Sequence, residues 1–481
     1  MRHRLVKWLG WSGVDAVGRL AMLTASTAVL SRCLSPHDFG VAALALTVVT
    51  VASVVVGAPF EEALAQRKVL RLAHLRAAVS ASWLASLACV LLAVPLGFIL
   101  ARAYGEPQFV WLLPVGMISA FFSGHSDIVT GLIRRQRRFA DLAKATLFGH
   151  AIGISASVAI ALAGGGVWAL IAQRLLVVVA RAILLQASAT VLILPSRSIG
   201  HLRDIARYGG LSLADRLTDN LTYLVFNYVV GGLYGLNVLG YVNMAMRLVE
   251  PLRSAIGATG HNLAFSFLSR LQDEPERLSA RARTIVSHAA LAIAPVFVGL
   301  AAVTPALLPL MAGPGWDEAI VIGACLALGT AICVPSRLII TALCARGRPE
   351  YSLVANICAF ACTLAVLVVA TGLGPVSVGL ARIAGDMAQA AVAIGAAPGL
   401  IGWSRRDRFL ALAPAWALSA AMGLVVARLQ PALPHFGQIS ALALLIAAGV
   451  ATYALFLALF ARERLAGLTG MLALRARPAE G

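Results

Sequence analysis

The sequence contains little charge for its length. Only 12% of its 481 residues are Asp, Glu, Lys or Arg, whereas soluble globular domains have about a quarter. Hydrophobic residues make up 60%. This composition excludes a disordered chain and a soluble globular enzyme. Because a membrane-spanning helix needs about 20 apolar residues, the sequence indicates an integral membrane protein with almost no soluble domain.

Cysteine and catalytic motifs are also scarce. The seven cysteines form no CxxC pair and no Cys/His cluster, which excludes a zinc site of the usual spacing and a disulfide scaffold. The sequence has no nucleophile elbow, no HExxH and no phosphate-binding P-loop, the motifs typical of hydrolases and nucleotide-using enzymes. We therefore expect neither enzymatic activity nor a resident metal or cofactor.

Apolar runs between charged and turn residues predict fourteen membrane-spanning helices. Their predicted limits are 8–30, 38–60, 77–101, 109–133, 142–164, 166–194, 206–230, 238–266, 285–311, 318–344, 351–371, 375–396, 409–428 and 437–461. The basic start could resemble a signal peptide, but Asp15 and Arg19 interrupt its apolar segment, so we expect an uncleaved first span. The long connection at 267–284 is predicted to form an amphipathic surface helix.

The positive charges predict the orientation of these spans. With both termini in the cytoplasm, 28 of the 39 Lys and Arg residues fall on the inner side, eight lie within the spans, and Arg32, Arg102 and Arg428 fall outside. An excess of Lys and Arg in short cytoplasmic loops is what the positive-inside rule describes. The net charge of +18 therefore reflects loop anchors, and we expect no nucleic-acid partner.

Two stretches about 200 residues apart are similar. Gly18-Arg19-Leu20 matches Asp215-Arg216-Leu217, and the segment from Leu34 through Gly40 resembles the segment from Tyr234 through Gly240. Six predicted spans separate the copies, so both copies have the same orientation. This arrangement is the parallel-repeat plan of many secondary transporters, whose substrate site lies between the halves.

Four spans carry polar residues on one helical face. An arginine at the centre of a lipid-facing helix costs about 3 kcal/mol, so these faces must line water or pair with other buried polar groups. Either they form a substrate cavity, or their arginines and acids only pair with one another, Arg247 with Glu250 for example. The candidate cavity residues are Asp15 and Arg19 in span 1; Asp215, Arg216, Asp219 and Asn220 in span 7, whose stripe continues through Tyr223 and Asn227; Arg247, Glu250 and Arg253 in span 8; and Arg382 and Asp386 in span 12.

Five passages carry a family resemblance. They are Leu34-Ser-Pro-His-Asp-Phe-Gly-Val-Ala-Ala-Leu-Ala45, Ala65-Gln-Arg-Lys68, Gly166-Val-Trp-Ala-Leu-Ile-Ala-Gln173, Leu268-Ser-Arg-Leu-Gln-Asp-Glu-Pro-Glu-Arg-Leu278 and Gly347-Arg-Pro349. In this order they resemble the polysaccharide transporter, or Wzx-type flippase, family of the MOP superfamily. The similarity covers roughly residues 5 to 400.

The resemblance implies an all-α polytopic membrane protein with two pseudo-symmetric six-helix lobes, residues 1–200 and 201–400, around a central cavity. Residues 401–481 would add two helices and a short cytoplasmic tail. Such a protein would move polyprenyl-diphosphate-linked oligosaccharide repeat units across the bacterial inner membrane by alternating access, for exopolysaccharide, capsule or O-antigen synthesis. Its expected partners are this lipid-linked glycan, membrane lipid, and a polysaccharide polymerase with its chain-length machinery.

The charge balance leaves two alternatives open. The intramembrane acids nearly cancel the arginines, which departs from a strongly cationic cavity and suits an ion-coupled multidrug exporter of the same superfamily. The coupling ion, H⁺ or Na⁺, is open as well. A membrane polysaccharide polymerase or ligase is the third alternative, but the longest predicted outer connection is only about ten residues and offers no catalytic loop.

Overall fold

The structure is a computed structural model that describes residues 2–66, 70–189, 191–193, 195, 203–433 and 437–460. Within these ranges the chain is helical and contains no strand. Fourteen α-helices follow one another: α1 (Arg2–Cys33), α2 (Pro36–Gln66), α3 (Leu72–Tyr104), α4 (Phe109–Arg135), α5 (Phe139–Leu162), α6 (Trp168–Ser188), α7 (Arg203–Tyr234), α8 (Leu236–Leu268), α9 (Pro275–Ala312), α10 (Asp317–Ala345), α11 (Glu350–Val369), α12 (Pro375–Ile401), α13 (Arg405–Leu429) and α14 (Gln438–Phe460).

The predicted all-α membrane fold is confirmed. Each predicted span falls on one of these helices, although several helices extend several residues beyond the predicted limits. Among the described residues, ten helices are long and apolar enough to cross a membrane. The other four are α1, α7, α8 and α12, the helices that carry the predicted polar stripes. Their lower hydropathy follows from those stripes, since each charged or polar residue of a stripe takes the place of an apolar one.

The separate surface helix predicted at 267–284 is wrong. A short 3₁₀ turn at Ser269–Leu271 ends α8, and α9 begins at Pro275 and continues without a break to Ala312. Proline is favoured in the first turn of a helix because it has no N–H to leave unpaired there. The amphipathic residues after Pro275 therefore form the first turns of a membrane helix rather than an independent element.

The chain divides into two compact units, Met1–Asn243 and Met244–Gly481. In the first unit α2 packs against α4 and α7, α4 also contacts α3 and α6, and α5 packs between α1 and α6. In the second unit α10 packs against α9 and α12, α11 covers α12, and α13 and α14 pack on α9. The lobe boundaries near residues 200 and 400 stay predictions.

Large apolar side chains cover much of the outer surface. Leu92 on α3 is 67% exposed and Phe460 at the end of α14 is 75% exposed, and both helices carry further exposed leucine or isoleucine residues. Exposed apolar surface of this extent is costly in water and favourable against lipid tails. The surface is therefore consistent with a multi-pass membrane protein.

The residues Ser35, Pro36 and Asp38 of the Leu34–Ala45 passage form the beginning of α2. Ser35 and Asp38 form a reciprocal cap: the Ser35 backbone N–H and hydroxyl donate to the Asp38 carboxylate at 3.0 and 2.8 Å, and the Asp38 N–H donates to the Ser35 hydroxyl at 3.2 Å. Pro36 occupies the first helical position, where it costs no hydrogen bond. Phe39 is buried.

Gly40 and its repeat counterpart Gly240 make a reciprocal contact between α2 and α8. A Cβ atom on Gly40 would lie 1.9 Å from the carbonyl oxygen of Leu236, and one on Gly240 would lie 1.8 Å from that of Pro36. Each glycine thus lies against the backbone four residues before the other glycine. Only a residue without a side chain permits this approach. The two copies of the sequence repeat therefore cross at equivalent positions.

Candidate functional site

A buried acid on α2 connects three helices of the first unit. The Glu61 carboxylate lies 2.8 Å from an Nη atom of Arg134 at the end of α4 and 3.3 Å from an Nη atom of Arg216 on α7. Glu61 is almost fully buried, whereas Arg134 is half exposed. A buried carboxylate requires such partners, because transferring an unpaired charge out of water is costly.

A second acid of the same unit lies on α4. The Asp127 carboxylate is 3.8 Å from Arg181 on α6, and Arg181 also donates to the Thr130 hydroxyl at 3.1 Å. Gly57 makes room for this acid, since a Cβ there would lie 2.2 Å from an Asp127 carboxylate oxygen. Glu61 and Arg216 lie near enough to act on Asp127 electrostatically.

Arg174 on α6 belongs to the same group but has a different set of contacts. One of its Nη atoms reaches the Ser53 hydroxyl at 3.5 Å, while its Nε has no hydrogen-bond partner among the described residues. No acid of the described chain lies within ion-pair distance of it. Arg174, Arg181 and Arg19 also act electrostatically on His150 of α5.

These residues form what we call the first-unit network: Glu61, Asp127, Arg134, Arg174, Arg181 and Arg216. Among the residues that the structure describes, it has four arginines against two acids. The near-cancellation of intramembrane arginines and acids expected from the sequence stays a prediction, because the side chains of Glu62, Asp215 and Asp219 lie outside the described residues. Among the described side chains of the network, the arginines outnumber the acids. Such an excess can bind an anion, and guanidinium groups bind phosphate oxygens in bidentate geometry.

The remaining α7 stripe is largely used for packing within the first unit. Asn227 is fully buried and donates to the Thr47 hydroxyl of α2 at 2.8 Å. Asn220 donates to the backbone carbonyl of Arg216, one turn earlier, at 2.7 Å. Asn220 and Asn227 therefore make hydrogen bonds of the kind that the pairing alternative predicts, and their part in a cavity stays a prediction.

The second unit brings four predicted site residues into one small cleft, called here the second-unit cleft: Glu250, Arg253, Arg382 and Asp386. Arg253 pairs with Glu250, one turn away on α8, at 3.0 Å. Asp386 on α12 is buried, and its carboxylate lies so close to Gly329 of α10 that a Cβ there would be 2.4 Å from an oxygen. The cleft carries two cations and two anions, so its charge is balanced.

Five further predicted residues have different outcomes. The side chains of Asp15, Asp215 and Asp219 lie outside the described residues. Arg19 is exposed on α1, and Arg247 is partly exposed on α8, outside the lining of the second-unit cleft. The pairing proposed for Glu250 involves Arg253 in the structure, three residues further along the helix, rather than Arg247.

Glu61, Asp127, Arg134, Arg174 and Arg181 are not among the predicted site residues, although Asp127, Arg174 and Arg181 lie within predicted apolar spans. Glu61 and Arg134 lie at the ends of predicted spans, where a charge is ordinary, and nothing in a single sequence shows that they meet. The contact of Asp127 with Gly57 on a neighbouring helix gives no signal in a single sequence, because a glycine against a buried side chain is recognised only once the packing is known.

The fold and the sites can now be compared with known proteins. A family model described as "Polysaccharide biosynthesis protein" matches residues 29–321, which is more than half of the chain. The chain belongs to this family. The resemblance expected from the sequence passages is thereby confirmed.

One curated relative of this chain is the succinoglycan biosynthesis transport protein ExoT of Rhizobium meliloti (strain 1021). It is 24% identical over 334 residues, which cover 68% of this chain and 66% of the relative. The chain thus spans slightly less than two thirds of that relative's length.

Two solved structures share the fold. The lipid II flippase MurJ in an inward closed conformation has a TM-score of 0.74 at 13% identity, over 96% of this chain and 100% of that chain. An inward-facing multidrug resistance transporter of the MATE family in the MOP superfamily has a TM-score of 0.57 at 16% identity, over 78% and 92%. At these identities the likeness concerns the fold.

Proposed function

We propose that this protein is a flippase that moves polyprenyl-diphosphate-linked oligosaccharide units from the cytoplasmic to the outer leaflet of the bacterial inner membrane. It would do so by alternating access and would supply a cell-surface polysaccharide. The proposal makes the chain a transporter and assigns it no catalytic step.

The observation that carries the proposal is the charge of the first-unit network, with four arginines against two acids among the described residues. A diphosphate that links a lipid to a sugar is a compact dianion, and planar guanidinium groups match its oxygens with two parallel hydrogen bonds. A multidrug exporter of organic cations would be better served by an excess of acids. The network therefore favours an anionic substrate over the cationic one of the alternative.

Family membership and the relatives' names support the same substrate class. The family is described as acting in polysaccharide biosynthesis, its relative ExoT as a transport protein for succinoglycan biosynthesis, and the protein with the TM-score of 0.74 as a lipid II flippase. The MATE transporter supports the multidrug alternative less well, because its fold agrees over a smaller share of both chains.

Deleting the gene in its host tests the proposal at the level of the chain. We expect surface polysaccharide to be lost and lipid-linked oligosaccharide to accumulate, with sugars inaccessible to a glycosidase added outside spheroplasts. A plasmid copy should restore both properties. Normal polysaccharide together with increased sensitivity to cationic dyes would instead reject the flippase in favour of the multidrug exporter.

Arg174→Ala tests the role of the network. Because no described acid forms an ion pair with Arg174, its removal strands no carboxylate, and the protein level should stay near normal. We expect glycan export to fall at least tenfold, and Arg174→Lys to retain an intermediate rate because a lysine binds phosphate as a point charge. The matched control is Arg277→Ala, which removes an exposed arginine paired with Glu274. Unchanged export in Arg174→Ala would exclude this arginine from the substrate site.

We propose that Arg253 of the second-unit cleft takes part in transport, although the cleft itself has room for only about one water molecule and holds no sugar. The double variant Arg253→Ala, Glu250→Ala separates this role from packing. If export is lost in Arg253→Ala and regained in the double variant, Arg253 only neutralises Glu250 and takes no part in transport.

Orientation, partners and coupling stay part of the proposal. Both termini are placed in the cytoplasm, and reporter fusions after Gly165 and Gly235 should report the outer side, with those after Arg137 and Arg277 reporting the cytoplasm. A polysaccharide polymerase with its chain-length machinery would take the glycan on the outer side. Transport measured in vesicles under an imposed H⁺ or Na⁺ gradient identifies the coupling ion.

A further inference from the structure

A cavity of about 640 Å³ lies within the first unit, away from the first-unit network. It is formed where the end of α3, the end of α7 and the beginning of α8 meet, beside the connection that precedes α2. The charge pattern of the sequence places all three of these connections on the extracytoplasmic side. Cavities of 300–1,000 Å³ are typical of sites for small organic ligands.

Three tyrosines line this outer cleft: Tyr104, Tyr228 and Tyr234. The Tyr104 hydroxyl donates to the backbone carbonyl of Tyr228 at 3.1 Å, and the two rings meet edge to face with centroids 6.3 Å apart. The Tyr228 hydroxyl is buried without a hydrogen-bond partner among the described residues. The rings are thus fixed by contacts with one another, and a fixed aromatic face loses little entropy when a ligand packs on it.

Polar groups complete the lining. The His37 Nε2 and a Glu106 carboxylate oxygen lie 3.0 Å apart, with Glu106 only one-fifth exposed, and Asn237 adds an exposed amide. The Glu106 carboxylate is an acceptor held in place by His37. The His37 imidazole and the Asn237 amide offer donors, and the tyrosine rings lie beside them. Among the described residues that line the outer cleft, none is an arginine or a lysine.

We propose that the outer cleft binds neutral pyranose rings of an oligosaccharide. The inference that this oligosaccharide belongs to the exported glycan rests on the proposed function. A pyranose ring presents a face of C–H bonds, which packs against the electron-rich face of an aromatic ring. Its hydroxyls both donate and accept, so they match Glu106, His37 and Asn237. A diphosphate would be repelled by Glu106 and finds no guanidinium there.

The cleft would hold the glycan after the diphosphate has left the first-unit network. It is therefore a specificity site for the sugar on the release side, separate from the groups that hold the charged linkage. Tyrosine is also common at membrane–water interfaces, where it only anchors the helix ends. If the tyrosines are only such anchors, replacing any exposed aromatic at this end of the molecule should change sugar binding as much as replacing one of the three in the cleft.

The test uses the full-length protein in phospholipid nanodiscs, prepared without glycosidic detergents so that no maltoside competes. The probe is the free oligosaccharide released from the host's own surface polysaccharide by partial acid hydrolysis, without lipid or diphosphate. Binding is measured by isothermal titration calorimetry. We expect saturable binding by the wild type, and Tyr104→Ala and Glu106→Gln to weaken the affinity at least tenfold.

Two further variants control for folding and for interfacial anchoring. Asn237→Ala removes an exposed side chain, so weaker binding at an unchanged unfolding temperature supports the site. Trp111→Leu removes an aromatic side chain near the beginning of α4 that is 68% exposed and does not line the cleft. The affinity of this variant for the oligosaccharide should stay within twofold of the wild type.

Either of two results overturns the inference: no saturable binding by the wild type, or an equal loss of binding in Trp111→Leu and the cleft variants. If the deletion strain lacks glycan export while the wild type binds no free sugar, the inference fails and the flippase stands. If the deletion strain exports glycan normally, the flippase fails, and sugar binding that depends on Tyr104 and Glu106 still supports the cleft.

Discussion

Replacing Gly40 by alanine is expected to destabilise the protein by forcing α2 and α8 apart where they cross. The new methyl group would lie 1.9 Å from the carbonyl oxygen of Leu236. A carbon and a carbonyl oxygen in favourable contact are about 3.3 Å apart or more, so the helices must separate locally by about 1.4 Å. The obstructing atom belongs to the backbone and cannot rotate away.

The magnitude follows from two opposing effects. Overpacking of this kind costs about 1–3 kcal/mol, and the upper end applies because no side chain can adjust. Alanine in a helix interior gains up to about 1 kcal/mol over glycine. The net loss should therefore be about 2 kcal/mol for Gly40→Ala, and a similar value holds for Gly240→Ala, whose methyl group would lie 1.8 Å from the Pro36 carbonyl oxygen.

Thermal unfolding of the purified protein, followed by tryptophan fluorescence, measures this effect. Both single variants should unfold at a lower temperature than the wild type. The control is Gly257→Ala in α8, where an added Cβ meets nothing within 4 Å and stability should rise slightly. The double variant should lose less than the sum of the single losses, because one substitution already separates the helices. A Gly40→Ala protein as stable as the Gly257→Ala control would refute the reasoning.

Three further predictions concern the two units. Glu61→Ala removes two charge-assisted contacts, and because Arg134 and Arg216 are both partly exposed, the unfolding temperature and the membrane level should fall by an amount corresponding to a loss of about 1.5 kcal/mol. Asn227→Leu removes the buried hydrogen bond to Thr47 and should cost about 1 kcal/mol in the same unfolding assay. Gly329→Ala displaces the carboxylate of Asp386, the far end of a flexible side chain, so glycan export should fall while the unfolding temperature changes little.

Each of these predictions has a matched control. Arg277→Ala breaks an exposed ion pair, which contributes at most about 1 kcal/mol, and should leave stability unchanged where Glu61→Ala does not. Thr222→Val removes an exposed hydroxyl on α7 and should cost less than Asn227→Leu. Gly395→Ala lies on α12 with no atom within 4 Å of the new Cβ, and export equal to that of Gly329→Ala would contradict a role for the displaced carboxylate.

The helices could be predicted from the sequence because the signal is local. A run of about 20 apolar residues forms a helix in a membrane whatever its neighbours do, and each of the fourteen predicted spans lies on one helix of the structure. The prediction of a surface helix at 267–284 was wrong because it also used only local sequence. The amphipathic residues after Pro275 resemble a separate element, although they are the first turns of α9.

The site could be predicted only in part. The face of α8 with Glu250 and Arg253 follows from helical periodicity, and so does the presence of charge on α12. The partner of Arg216 does not follow, because Glu61 lies 155 residues earlier and is chosen by the packing of α2 against α7. The outer cleft is of the same kind, since its tyrosines lie on helices that are distant in sequence.

The crossing of Gly40 and Gly240 has an evolutionary consequence. Exchanging the two segments leaves the contact unchanged, which is the property of an isologous interface between two copies of one chain. A half-length ancestor carrying this motif once would have dimerised through the same glycine. Joining the copies into one chain released them from identical sequence, so the Ser35–Asp38 cap could persist in one copy while Gly235 and Val238 took the equivalent positions in the other. The crossing thus keeps the geometry of a homodimer interface in a single chain, whose two copies of the motif mutate independently.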